Sequence, residues 1–401
     1  VPDAGVPFVL ADTDVTVVRI SDPSDPLTTG TDFTNGYSRW SPASASGAYA
    51  LAFGVDGASS VYRLADRTVV RHLPIGEPNE LQWDPSGDAG TDGHLYYRDG
   101  AALRRIDVLT GDDLLVHDFS VEYPDAGAAL NGVEGAPSRD GRTWAFQVCD
   151  RVDGGGQCVG LLDIVTYDLP SDTIVGRMRD AIGRLETPNF VDVSPSGSKV
   201  VVGSCKLAAD AAPPFDGPYA YDLDFTNPVR LGTDCTHSGW GWGRAGEELY
   251  VSFDACGRNN EEVTRTCDYL MAVDVNDPDG WNHRFGTAYA GDLGWDVGTH
   301  FGRTYDADAA GWIFVSTYDG TGWAADQLLA IELVPEADGP RVVRFGSSLN
   351  RHQDYWSEGF ASLDFDAQHV YWGANWDGAG PLALYQSTLC TRWWEAADAA
   401  R

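Results

Sequence analysis

One unit of roughly 40 to 60 residues recurs along the whole chain, and units of this kind must stack or close on one another because no copy can bury its apolar face alone. Each copy reads as a short strand, a turn of Ser-Pro or Asp-Gly type, an apolar strand rich in Val, Tyr and Trp, a third strand and a weak fourth. The clearest copies are RWSPASASGAYALAFG (39–54), LQWDPSGDAGTDGHLYYRDG (81–100), EGAPSRDGRTWAFQVC (134–149) and FVDVSPSGSKVVVGSC (190–205). Looser copies follow as GWGWGRAGEELYVSFDAC (239–256), FGRTYDADAAGWIFVSTYDG (301–320) and GFASLDFDAQHVYWGANWDG (359–378). The last copy leaves little chain for a fourth strand, while PFVLADTDVTVVRI near the N-terminus has no blade of its own. Exchange of strands between the termini then closes the ring and removes its open edges. The expectation is an all-β, seven-bladed β-propeller of four-stranded blades, one domain over 1–401. The blades fall near 36–75, 79–120, 131–180, 187–232, 235–286, 298–346 and 356–390, with an N-terminal strand at 7–20 closing the ring. A pair of β-sandwiches or a β-helix explains the regular period less well.

The Ser-Pro-x-Gly turns followed by an apolar strand resemble the TolB-type, WD40-like propeller repeats. This resemblance covers nearly the whole chain and marks fold rather than activity.

Seven cysteines are present, and two pairs sit close together: Cys149 and Cys158 enclose DRVDGGGQ, and Cys256 and Cys267 enclose GRNNEEVTRT. Neither spacing has the second Cys or His pair of a zinc ribbon, so loop disulfides in an oxidising, extracytoplasmic compartment are expected. Cys205 with Cys235 is a third candidate pair, and Cys390 is left over. The chain opens Val-Pro-Asp-Ala-Gly, which resembles the spacer of an exported bacterial lipoprotein and reads as secreted, periplasmic or anchored at the cell surface. No run of 18 or more apolar residues occurs, so no transmembrane helix is expected. A net charge of −33, from 60 acidic and 27 basic side chains, repels nucleic acid and anionic membrane.

In a propeller the first strand of each blade lines the channel, and the segments leading into these strands share one face, the usual ligand side. Aligning the turns on Pro42, Pro85, Pro137, Pro195, Gly243, Asp306 and Asp364 and stepping back six residues gives Gly36, Asn79, Asn131, Asn189, His237, His300 and Glu358. With His352 and Gln353 just upstream of Glu358, the set His237, His300, His352, Gln353 and Glu358 offers N and O donors to a divalent metal such as Zn, Mn, Ni or Cu. Read singly, a loop histidine caps a backbone group or is solvated; three at consecutive blades carry the metal expectation. The other histidines, 72, 94, 117, 283 and 369, read as structural or surface residues.

Aromatic side chains crowd the same face. Trp240, Trp295 and Trp356 are candidates to hold a sugar ring, with Asn131 and Asn189 beside them, whereas Trp242 reads as packing between blades. The segment DVNDPDG (274–280) departs from calcium-loop spacing and reads as a surface turn. No G-x-S-x-G elbow and no P-loop appear, so no serine hydrolase chemistry and no nucleotide or organic cofactor is expected.

Two functions fit. The first is an exported module holding a glycan, peptide or other extracellular ligand, with or without a metal, at one channel mouth. The second rests on a fold-level resemblance to the propeller polysaccharide lyases of oligogalacturonate and ulvan type. That resemblance implies proton abstraction beside a uronate carboxylate, with a metal or Arg303 and Arg351 neutralising the carboxylate and His237, His300, Tyr305 or Tyr355 acting as base.

Overall fold

The computed structural model describes the chain apart from residues 11–12, 14, 23–31, 56, 77–79, 89, 133, 155, 180–187, 205–216, 233–236, 255–268, 279–281, 286–296, 321, 334–340, 390–391 and 400–401. Seven antiparallel sheets follow one another as the blades of a β-propeller, with strands over 33–73, 82–118, 128–177, 190–230, 238–285, 298–347 and 362–388. Six blades have four strands in simple up-and-down order. The seventh takes the N-terminal strand Thr16–Arg19 onto Ala383–Thr388, the expected closure, and adds a fifth short strand, Phe8–Val9. No described helix is long and apolar enough to cross a membrane.

The turn between first and second strands shows why the repeat motif recurs. Ser44, Ser138 and Ser194 each accept, through the hydroxyl, the amide of the residue five positions on (Tyr49, Thr143 and Lys199), and Asp364 does the same for His369 through its carboxylate. A side-chain oxygen thus replaces one rung of the ladder and fixes a tight turn. Three residues past each serine stands a glycine at positive φ: Gly47, Gly141 and Gly197. Blade seven places Ala367 there at φ 55°.

Near the axis, first strands of adjacent blades touch. Trp240 bridges to Arg303 in parallel, and a Cβ at Gly239 would lie 2.2 Å from the Gly302 carbonyl oxygen, so only glycine lets blades five and six approach this closely. Deeper still, Asp192 of blade four receives the Trp240 indole N–H at 2.6 Å, Arg303 at 2.8 Å, the Ala136 amide at 2.9 Å and Arg39 at 3.1 Å. Arg39 also pairs with Glu134 and donates to the Ser238 carbonyl. Five blades therefore meet on one buried, hydrogen-bonded cluster of two guanidinium groups and two carboxylates.

Cys149 and Cys158 form the expected disulfide, tying strands Thr143–Val152 and Cys158–Asp168 into the longest hairpin among the described residues. Cys205, Cys235, Cys256, Cys267 and Cys390, with Trp295 and Asn79, lie outside the described residues. A short C-terminal helix, Trp393–Ala399, seats Trp393 against Trp312 and Phe345.

Closure by the N-terminal strand carries measurable stability. Val17 and Val18 are 0% and 7% exposed, and each buried valine contributes about 1.5–3 kcal/mol. Deleting residues 1–20 is expected to lower the urea midpoint by the equivalent of about 3–6 kcal/mol, since it also bares the edge of Ala383–Thr388. An unchanged midpoint would show that the ring closes without it.

Candidate functional site

The lead-ins to blades five, six and seven converge at one mouth. His237 immediately precedes Ser238–Trp242 and His300 lies within Gly298–Phe301. Both stand three residues before the bridged pair Trp240 and Arg303, so the two histidines occupy equivalent places and their rings stack, 4.2 Å between centroids with planes 27° apart. Glu358 reaches in from blade seven. Its two oxygens face the Nε2 atoms of His300 at 3.1 Å and His352 at 3.7 Å.

Tyr318 completes the cluster. It ends the second strand of blade six, Trp312–Tyr318, directly opposite Gly298, and its ring lies flat on His300 at 4.9 Å, with His237 at 6.5 Å and His352 at 5.8 Å. A Cβ on Gly298 would fall 2.2 Å from the Tyr318 ring, so this glycine is what admits the tyrosine. Burial and the neighbouring Glu358 carboxylate both push the Tyr318 phenol up. Strand pairing, rather than the first-strand count, brings it to the mouth.

The protonation states follow from these contacts. His237 Nδ1 lies 2.5 Å from the Thr299 carbonyl, which can only accept, so Nδ1 carries the proton and Nε2 is left as the basic nitrogen. His300 is completely buried, and burial, then His237 and Arg39, hold it well below the usual imidazole range, in the neutral form that a metal requires. Its Nδ1 is buried with no hydrogen-bond partner among the described residues. Burial pushes Glu358 up to about 7. Acidic groups crowd the same rim: Asp319 and Asp354 act on Glu358, and Asp326 is raised by burial, Asp319 and Asp377.

The remaining candidates scatter. Arg303 is buried, its guanidinium held by Asp192, Pro137 and Val193, and Tyr305 lies beside it against Phe365. Trp240 is fully buried on Asp192. These three brace the channel interior, a correction to their placing at the mouth. Asn131 is buried with its carboxamide on the Ala145 carbonyl, and Asn189 is half-buried. The locked turns put Ser44, Ser138, Ser194 and Asp364 in equivalent positions, so counting back from Pro42, Pro137 and Pro195 slips by one or two residues, and Asn131 and Asn189 fall out of step with His237, His300 and Glu358. Tyr355 and Arg351 are exposed, and Trp356 packs half-buried on Phe53, Tyr355 and Phe360. The Gln353 amide lies over Gly378.

At the far end of the same first strand, Asp364, Asp366 and His369 bring three donor atoms within 4.8 Å of one another, a second acidic and histidine grouping that could hold a metal ion. Asp364 is also the blade-seven version of the turn lock, accepting the His369 amide and, at 2.6 Å, its ring. Reading His369 as merely structural missed the grouping.

Fold and site together define a seven-bladed propeller with a histidine, carboxylate and tyrosine cluster at one mouth. Among solved structures, an oligogalacturonate lyase in complex with manganese matches with a TM-score of 0.61 at 15% identity, covering 97% of both chains. An oligogalacturonate lyase from Vibrio parahaemolyticus matches with a TM-score of 0.63 at 11% identity, covering 96% of both. A chain of a mitotic checkpoint complex matches at 0.50 and 11% identity, which shows that likeness at this level reports fold alone. No protein-family model and no curated protein matches the sequence.

Proposed function

We propose that the protein is a cation-dependent lyase acting on uronate-containing glycans at this mouth. The observation that carries the reading is the convergence of His237, His300, His352, Glu358 and Tyr318, with one imidazole nitrogen of His300 buried and unpartnered among the described residues. His300 and His352 each face an oxygen of Glu358, a donor set of two imidazoles and a carboxylate of the type a divalent metal takes, and closing the two imidazoles onto one ion would bring the three donors together. A bound ion would supply the positive charge that offsets a uronate carboxylate and acidifies the neighbouring C–H. The lyase neighbours, one of them holding manganese, support the same reading.

The chain's own residues do the rest. His237 keeps Nε2 as its acceptor nitrogen and is the general base, fixed in that tautomer by the Thr299 carbonyl. Tyr355 and Trp356 offer ring faces at the rim, and Arg351 stands beside them as an exposed cation. The acidic rim repels a polyanion and attracts a metal, so metal binding precedes substrate binding. The same rim also favours a second reading, a glycan- or peptide-binding platform without chemistry. An extracytoplasmic location is part of the proposal, supported by the Cys149–Cys158 disulfide.

Elemental analysis after chelator-free purification is expected to find a divalent metal in stoichiometric amount, lost in His300→Ala. With it, uronate polymers are expected to yield the conjugated unsaturated uronate, followed by ultraviolet absorbance. Metal without product would leave the binding platform standing; neither metal nor product would end the lyase reading.

A further inference from the structure

Resting on the lyase reading, we infer that Tyr318 is the proton donor to the leaving group, and that it works from the same side as His237, so that the enzyme removes a hydrogen and a glycosidic oxygen from one face of the sugar.

The geometry rests on the buried His300 ring. His237 stacks on it at 4.2 Å and Tyr318 at 4.9 Å, yet His237 and Tyr318 are only 6.5 Å apart. A sandwich with His300 in the middle would separate the outer rings by nearly the sum of the two spacings. The three rings therefore form a triangle, with His237 and Tyr318 neighbours over a common floor. His300 is 0% exposed, while the other two are half-buried and open to the mouth. A sugar entering there meets both on one side.

The tyrosine is equipped as a donor rather than a base. With His237 Nε2 as the base, the Tyr318 hydroxyl is the second proton-bearing group over the same floor, which leaves it the donor role. Its ring is seated on Gly298, where no larger residue fits.

The step balances without a further reactant. His237 Nε2 takes the proton from C5 of the uronate, and the C–H electron pair becomes the C4–C5 double bond. The C4–O bond breaks with its pair on the departing oxygen, which takes the Tyr318 proton. Solvent then returns a proton to the tyrosinate and removes one from His237.

Same-face loss selects the substrate. In a glucuronate unit the C5 hydrogen and the C4 oxygen lie on one face of the ring. In a galacturonate unit the C4 oxygen is inverted, and the two groups leave from opposite faces. The substrate class is therefore a glycan of gluco-configured uronates.

The test uses the full chain with manganese added, a glucuronate homopolymer and polygalacturonate in parallel, and the absorbance of the unsaturated product. Wild type is expected to favour the glucuronate polymer. Tyr318→Phe, which removes only the hydroxyl, is expected to lower kcat by about 10²–10⁴-fold with KM within a few-fold and manganese content unchanged. Gly298→Ala, which displaces the ring, is expected to lower kcat in the same direction while the thermal unfolding of the protein stays cooperative. Wild-type kcat in Tyr318→Phe, or preference for polygalacturonate, overturns this inference and leaves the lyase reading intact. Cleavage of neither polymer overturns both.

Discussion

Asp192→Ala is expected to leave little folded protein. Its carboxylate receives Arg39, Arg303, the Trp240 indole and the Ala136 amide, from blades one, six, five and three, and it is wholly buried. Removing one partner of a buried ion pair costs about 3–5 kcal/mol, because the charge left behind stays desolvated. Here two guanidinium groups are left against the single carboxylate of Glu134, which pairs with Arg39 only. The loss thus approaches the whole margin of a typical domain, about 5–15 kcal/mol. Soluble yield and the urea midpoint measure it, and a midpoint within error of wild type would show that the cluster is dispensable. Asp192→Asn separates shape from charge: its single amide oxygen can accept from Trp240 or from Ala136 but not from both, and the cationic excess remains, so it is expected to fall nearer the alanine variant than wild type. Replacing Asp192 and Arg303 together by apolar residues is expected to cost less than either single change, since an ion pair exchanged as a unit for packed side chains is often close to neutral.

The same cluster explains which parts of the molecule could be read from sequence. Blade number and closure were legible because a period-two pattern with a turn every few strands admits few ring sizes, and the unpaired strand near Thr16–Arg19 needed a partner. His237, His300 and Glu358 were legible because three consecutive blades keep the same count into their first strands. Trp240 and Arg303 lie on those same strands only three residues further in, and at about 3.3 Å per residue that is about 10 Å deeper, below the mouth and inside the channel. Depth along the axis is set by sheet packing, which a count along one strand does not contain. The prolines misled the count at Asn131 and Asn189 because the residue that locks the turn is Ser138 or Ser194, which stands after one proline and before the other. Tyr318 was hidden for a different reason: it belongs to a second strand, and only its pairing with Gly298 carries it to the site. A tyrosine ending a second strand opposite a glycine that begins the first is a signal that could have found it.

His237→Ala is expected to abolish uronate cleavage, with kcat down by about 10²–10⁴-fold, the span that general-base residues usually cover. The expectation follows from one hydrogen bond. Because Nδ1 is committed to the Thr299 carbonyl, Nε2 is the atom free to accept a proton, and a residue holding its other nitrogen on the backbone is oriented as a base. The sequence alone also allowed His237 as a metal ligand, and the two roles separate on one measurement. A base can be lost without loss of metal, so manganese content and KM should hold while kcat falls. Loss of manganese in step with activity would make His237 a ligand and remove it as the base. Added imidazole tests the assignment from the other side: the half-open cavity left by the alanine admits a small base, and a rate that climbs with imidazole concentration is expected in His237→Ala but not in His300→Ala, whose site is sealed from solvent. Rescue of both variants alike would mean that the imidazole acts from bulk solvent, and the distinction between the two stacked histidines would fall with it.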